Sequence, residues 1–300
     1  MNYKVSVIIP TYKRSEFLTR AIDSVLEQSY KNVEIIVVDD NDPISDFRSQ
    51  TEDRIKEYIE RAKVIYHKNI TNMGGALARN EGISVASGDY ITFLDDDDVY
   101  EEMKIENQLQ YMLDNNLDAS FTNVKICNIT GKLIDYRDHK YVTDLSNGEL
   151  LKQHIMHHLT PTDTYMFKRE KLIELKGFDD VTMGQEFRLM LKAIVGNLRI
   201  GYLPRADVIQ YIHDAERISV GKNKIIAENE LYEFKKNYFS KLNNSQIKYV
   251  KFRHYSVLAV VGVRSKEYKL SIVNLCLAFL TSPKYFFSEI FQKLRMNSMN

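Results

Sequence analysis

Four consecutive carboxylates, Asp95, Asp96, Asp97 and Asp98, follow the apolar stretch Tyr90 to Leu94 without a break. That order predicts an acidic loop at the carboxyl end of a buried strand. Held together without a counter-ion, such groups repel and raise one another's pKa, so the run persists most easily where a hard divalent cation neutralises it. A phosphate ester is the usual partner of such a cation. The alternative is a solvated acidic turn capping a helix that starts near Glu101. Asp40, at the end of EIIVVDD, offers acceptors for a nucleobase N–H or ribose hydroxyls, while its neighbour Asp39 equally fits a buried structural carboxylate. In NMGGALARN two glycines precede a helix bearing Arg79, whose guanidinium suits a diphosphate, the Asp cluster or a salt bridge at the sheet edge. Gln185 and Glu186 open the helical segment QEFRLMLKAI. A carboxylate there stays ionised readily, as a general base requires, and it also suits a cap. Asp179, after Gly177 and Phe178, either orients acceptor hydroxyls or simply closes a turn.

The elements that must position these groups alternate. Val5 to Ile9 is a β-branched run ended by Pro10, and Ser15 to Gln28 carries apolar residues at helical spacing. A strand over 33–38, a helix within 50–61, a strand over 63–67, a helix over 75–86 and a strand over 89–94 follow. This alternation predicts an α/β fold with a mostly parallel sheet covered on both faces, whose ligands sit beyond the carboxyl ends of the strands. A helix over 103–113, a strand-like stretch over 117–126 and a hairpin turning at Gly131 continue the chain. Residues 138–148 are polar and turn-rich, as in a variable insertion or acceptor loop. His154, His157 and His158 lack an adjacent Cys and any HExxH pattern and fit polar surface or hydrogen-bonding residues instead of a metal site. Strands over 198–203 and 208–212 lead to His213. No GxGxxG or GxxxxGK[ST] follows the first strand, which argues against dinucleotide and P-loop folds.

The ordered segments VSVIIPTYKRSEFLTRAIDSVLEQSY, VEIIVVDD and NMGGALARNEGISVASGDYITFLDDDD resemble the nucleotide-sugar-binding half of inverting family 2 glycosyltransferases with a GT-A fold, across about residues 4–125. The resemblance implies a nucleoside diphosphate sugar donor, with Pro10, Thr11 and Tyr12 near the base and Asp40 on uracil or another base. Asp95 and Asp97 match the family's DxD pair, Asp96 faces the donor, Asp97 ligates the metal, and Asp98 supports the loop. The family commonly has Glu-Asp where this chain has Gln185-Glu186, so the base role passes to Glu186 on a longer side chain, and the first position loses its charge. His213 is similar to a family histidine that completes the metal or diphosphate site. A neutral imidazole favours Mn²⁺ over Mg²⁺. Arg217 suits phosphate and Ser219 offers a hydroxyl, although each also fits a role in ordering a lid. The implied reaction is a single in-line displacement that inverts the anomeric carbon.

With 41 Lys plus Arg against 41 Asp plus Glu, the 300-residue chain has no net charge and no global field for nucleic acid. Cys127 and Cys276 lack metal spacing and fit a reducing compartment. The amino terminus carries no long apolar core, which predicts no secretory signal. These features divide the chain into a catalytic domain over 1–221, with a donor half 1–125 and an acceptor half 126–221, and a helical region over 222–300. From residue 240 onward ten Lys plus Arg stand against two Glu and no Asp. The apolar run Leu270 to Leu280 is too short to span a bilayer. With Tyr285, Phe286, Phe287, Ile290 and Phe291 it predicts peripheral contact with an anionic cytoplasmic membrane face, a helical subdomain, or an oligomer interface. The acceptor is then a cell-surface glycan, teichoic acid or lipid-linked molecule. A nucleotidyltransferase and a catalytically silent sugar-binding scaffold are the competing functions; the first strand lacks the activation loop of the former, and uncharged Gln185 is the only hint of the latter.

Overall fold

Strand β1 (Val5–Thr11) is apolar on both faces, and its alternate residues enter two different cores. Ile8 packs with Ile36, Val38, Ile91 and Phe93 on one side of the sheet, whereas Val5, Val7 and Ile9 pack with Ile35 and Val37 on the other. Full burial of each such side chain contributes about 1.5–3 kcal/mol. A strand apolar on both faces needs helices on both, and these supply them. The first core is closed by α3 (Gly75–Val85) and α7 (Gln185–Val195), the second by α1 (Ser15–Leu26) and α4 (Lys104–Asp114).

The computed structural model describes residues 2–61, 63–181, 183–212 and 222–289. Its contacts group into two units, Met1–Leu151 with Leu159–His213 and Lys152–His158 with Asp214–Asn300. In the first unit β1 lies between β2 (Val33–Asp39) and β4 (Tyr90–Phe93), and β3 (Ile65–Lys68) follows β2, all parallel. Helix α2 (Asp46–Glu60) connects β2 to β3. Beyond β4 the sheet continues through β9 (Met166–Lys168), antiparallel to both neighbours, then β6 (Ala119–Thr122) and β10 (Ile200–Leu203). Helix α6 (Arg169–Glu174) follows β9 directly. A second sheet has the order β5 (Val99–Tyr100), β11 (Val208–Ile212), β7 (Val124–Asn128) and β8 (Leu133–Arg137). This largely parallel, helix-flanked sheet is the one the GT-A resemblance implies.

Three departures from the sequence expectations have local causes. Strand β1 passes through Pro10 to Thr11. Ile8 O accepts from Leu94 N, so Pro10, two residues on, turns its nitrogen to the side where β4 has already ended, and no ladder bond is lost. The stretch 117–126 is two strands in two sheets, because Asn123 leaves the first sheet and binds the Arg205 carbonyl and the Tyr202 hydroxyl. His154 is buried within α5 (Asn147–His157), which excludes the polar-surface alternative for it and leaves the hydrogen-bonding one.

The second unit contains α8 (Lys222–Lys236), α9 (Asn244–Arg264), α10 (Tyr268–Thr281) and the short helix Pro283–Glu289. No single helix among the described residues is long and apolar enough to cross a membrane. α10 and Pro283–Glu289 pass that test only together, bent by 116°.

At the amino end of the sheet, Glu34 holds β1, β2 and the turn into β4 together. It accepts from Ser6 Oγ, from Ser87 N and Oγ at 2.7 Å each, and from Gly88 N, and pairs with Lys4. Burial alone would raise its pKa, but the bonds from Lys4, Ser6 and Ser87 prevail and bring it down to about 2 from 4.5. Its ionised form therefore stabilises the fold fully above pH 4.5, and that contribution is lost as pH falls toward 2. Glu34→Gln should lower unfolding free energy by about 1–3 kcal/mol at neutral pH and flatten the acid limb of the stability curve. Denaturant melts from pH 7 to pH 3 measure both, and an unchanged acid limb would show that Glu34 does not carry it.

Candidate active site

The acidic run leaves β4 in a turn that points its carboxylates in different directions. Leu94 N still donates to Ile8 O at 3.0 Å, and Asp98 N closes the turn on Asp95 O at 3.1 Å. Asp96 turns inward and is fully buried, accepting from Thr11 Oγ1 at 2.7 Å and pairing with Arg14 at 2.8 Å. Asp97 points out but meets the same guanidinium at 2.6 Å, while Arg20 donates to the Asp97 carbonyl at 2.6 Å. Asp95 pairs with Arg79, whose side chain is almost entirely buried. Asp98 accepts from Tyr211 N on β11 at 2.9 Å and faces Asp163, a buried residue whose Oδ2 accepts from Gln210 Nε2 at 2.9 Å.

Five carboxyl groups thus share one corner with two paired arginines. Burial, opposed by Arg14 and reinforced by Asp97, pushes the Asp96 pKa up to about 7. Burial followed by the charge of Asp95 takes Asp163 to about 7. Asp98 is raised well above the carboxylate range by burial and then by Asp163. Arg14 is also raised: burial would lower it, and the surrounding aspartates more than offset that. One oxygen each from Asp95, Asp97 and Asp98 lie within 4.8 Å of one another, a spread that a single divalent ion with oxygen ligands at about 2.0–2.6 Å can gather with small side-chain movements. Asp163 is fully buried against Asp98 and Gln210. The donor set is all carboxyl oxygen, which fits Mn²⁺ or Mg²⁺.

Asp40 is placed at the end of β2, as expected, but its carboxylate faces the chain itself. It accepts from Asn69 Nδ2, Asn72 Nδ2, Met73 N and Gly74 N, all at 2.8–2.9 Å, and is 2% exposed. Those four bonds fasten the glycine loop to the sheet and fill the acceptor sites of the carboxylate. Asp39 is buried against Asn41, Tyr66 and Arg48. Gly74 adopts φ 82°, which only glycine takes without cost, and the turn starts α3 so that Arg79 reaches Asp95. Pro10 ends the β1 core, the Thr11 hydroxyl is engaged by Asp96, and the Tyr12 ring is 39% exposed beside Lys13.

Helix α7 brings Gln185 to the same corner. A Cβ added at Gly75 would stand 3.2 Å from Arg79 Nη1 and 3.6 Å from Gln185 Nε2, so these groups adjoin at the amino ends of α3 and α7. Gln185 Oε1 is buried without a hydrogen-bond donor. Glu186 lies in the first turn of α7, its carbonyl 3.5 Å from the Tyr165 hydroxyl, and Tyr165 is raised by burial and then by the charge of Glu186. The preceding Gly177-Phe178 turn is locked to α3: Asn80 exchanges two hydrogen bonds with Phe178, at 2.8 and 2.9 Å. Gly177, at φ 56°, lies so close that a Cβ would sit 2.3 Å from Asn80 Oδ1. Asp179 is ion-paired with Lys192 at 2.7 Å, which closes that turn. His213, Arg217 and Ser219 lie outside the described residues.

Four participants escaped the sequence reading. Arg14 and Arg20 follow β1 in TYKRSEFLTR, where only the need to balance four aspartates would have singled them out. Asp163 and Gln210 lie in segments with no motif, and long-range pairing alone brings them under the acidic loop.

A family model described as "Glycosyl transferase family 2" matches residues 6–176. An "Uncharacterized glycosyltransferase" of Haemophilus influenzae is 39% identical over 130 residues, 43% of this chain and 50% of that protein. The "Minor teichoic acid biosynthesis protein GgaB" of Bacillus subtilis is 27% identical over 266 residues, 86% of this chain. This chain spans half of the former and 29% of the latter. Among solved structures, S. aureus TarS 1-349 in complex with UDP-GlcNAc superposes with a TM-score of 0.60 at 17% identity, covering 96% of this chain and 92% of that one. Mannosyltransferase PcManGT from Pyrobaculum calidifontis, in complex with GDP-Man and Mn2+, gives 0.61 at 15% identity over 99% and 81%.

Because burial raises the Asp96 and Asp163 carboxyls toward neutral pH, protons compete with any cation for this corner. Mn²⁺ affinity should rise between pH 6 and pH 8 with proton release, and Asp163→Asn should flatten that rise. Calorimetry in buffers of different ionisation enthalpy reads both; binding that is independent of pH would contradict the assignment.

Proposed function

This chain belongs to glycosyl transferase family 2, and we propose that it is a metal-dependent inverting glycosyltransferase, moving a sugar from a nucleoside diphosphate to an acceptor hydroxyl. The observation that carries this reading is the corner where the ligand atoms of Asp95, Asp97 and Asp98 converge beside Arg79 and the start of α7. Glu186, in the first turn of α7, takes the proton from the acceptor hydroxyl, and the helix amino end keeps its carboxylate ionised before that step. The freed oxygen attacks the anomeric carbon opposite the nucleotide, and the bond to the diphosphate breaks with inversion. Asp95, Asp97 and Asp98, with His213 added by family resemblance, would hold a divalent ion, which would supply charge neutralisation for the diphosphate. Arg79 and Arg217 are the cations assigned to the phosphates; Gln185 and Asp179 border the acceptor side.

The acceptor we assign is a cell-surface glycan, teichoic acid or lipid-linked molecule, a reading supported by the name of the Bacillus relative. The bound UDP-GlcNAc and GDP-Man of the two superposed structures support a nucleoside diphosphate sugar and leave its base open. A cytoplasmic site at the membrane's inner face and no nucleic-acid partner complete the proposal.

Nucleoside diphosphate release from UDP-, GDP- and dTDP-sugars, with Mn²⁺ or chelator and an acceptor panel, tests it. One donor should turn over with metal only, and Asp97→Ala and Glu186→Gln should each lower the rate by about 10²–10⁴ while Glu186→Gln retains donor binding. Pyrophosphate release from a nucleoside triphosphate, or full activity in Glu186→Gln, would overturn it.

A further inference from the structure

Helix α10 is packed inside out. Its contact with α9 is made by Ser271, Asn274 and Ala278, which are 9%, 5% and 0% exposed. Ser271 Oγ donates to Ala259 O at 2.8 Å, and a Cβ on Gly262 of α9 would stand 2.9 Å from Ser271 N, so small residues bring the two helices together. The large apolar side chains face away from α9: Ile272 is 63% exposed and Leu280 74%, with Tyr268, Val273, Leu275 and Phe279 also outward. A helix at the surface of a protein in water does the reverse, burying its apolar stripe and exposing the polar one. Contiguous apolar exposure of this kind marks an interaction surface.

The charges around the face select its partner. Helix α10 contains no Asp or Glu. Exposed Arg264, Lys266 and Lys269 stand at its start and exposed Lys284 just past its end, against the single exposed acid Glu267; Glu289 is taken up by Arg253 at 2.6 Å. A second copy docked on this face would bring those cations against their own kind, whereas an anionic bilayer surface satisfies both the cations and the apolar side chains. At 14 residues α10 is about 21 Å long, too short to cross a hydrocarbon core of about 30 Å, so it fits a helix lying in the interface plane.

We propose that the outward face of α10, with Ile272, Leu275, Phe279 and Leu280 inserted below the headgroups and Lys266, Lys269 and Lys284 among them, is the site at which this protein docks on anionic lipid. The assignment rests on the peripheral placement proposed above and names the surface that performs it. Vesicle sedimentation of the full chain tests it, using phosphatidylcholine alone or mixed with phosphatidylglycerol, at low and high salt. Binding should require phosphatidylglycerol and weaken with salt. Ile272→Gln with Leu280→Gln should lower it at least about tenfold with helix content unchanged by circular dichroism, and Leu275→Gln alone should lower it less. Lys266→Gln with Lys269→Gln should reduce the preference for anionic vesicles. Wild-type binding that is absent, or unchanged in the apolar variants, overturns the proposal. So does self-association in solution that the apolar variants abolish while vesicles capture nothing, which would make the face an interface between copies. Donor turnover measured in solution on the same samples keeps this result separate from the catalytic one.

Discussion

Like charges crowded at the end of a buried strand are the constraint around which the first unit is arranged. Two carboxylates about 4 Å apart repel by roughly 1 kcal/mol in water and about 4 kcal/mol at a partly buried site. Here five share one corner. The fold answers with cations drawn from different elements: Arg14, just before α1, bridges Asp96 and Asp97, and Arg79 of α3 meets Asp95. Asp98 and Asp163, which face each other, are instead raised by burial and by the neighbouring carboxylates. These contacts also fix elements: Arg14 ties the start of α1 to the acidic loop, Arg79 ties α3 to it, and β11 binds the loop through Tyr211 and Asp163 through Gln210.

That arrangement leaves the corner charged in a way that suits phosphate chemistry. The anionic oxygens converge on one side, while Arg79 and the amino ends of α3 and α7 offer positive potential on the other. A bound cation would relieve the repulsion that the protein only partly offsets, and a diphosphate would in turn balance that cation. The same residues that make the loop costly to assemble therefore suit it to bind a cation and a diphosphate.

What could be read from the sequence was local. The strands β1, β2 and β4 are continuous apolar runs, and the acidic loop and the glycine pair follow them within a few residues, so the corner was visible in outline. Asp40 was recognised as a residue at the right place, but its four partners lie 29 to 34 residues away and no pattern announces them. Arg14, Asp163 and Gln210 were missed because their significance comes only from what the sheet brings near. Strand β9 is three residues long, too short for any periodicity to declare. The apolar run in α10 was plain, yet which side of it faces α9 was not, since the seam is set by the closeness of Gly262 and Ser271. Patterning identifies surfaces; packing decides which of them is left outside.

The central claim is that Asp95, Asp97 and Asp98 gather one divalent cation at the carboxyl end of β4. The most direct measurement is anomalous diffraction from crystals grown with Mn²⁺ and a nucleoside diphosphate. A single strong peak within bonding distance of those carboxylates and of the diphosphate oxygens is expected. A diphosphate seated beside Arg79 with no metal peak at the acidic loop, or manganese bound only elsewhere, would contradict it.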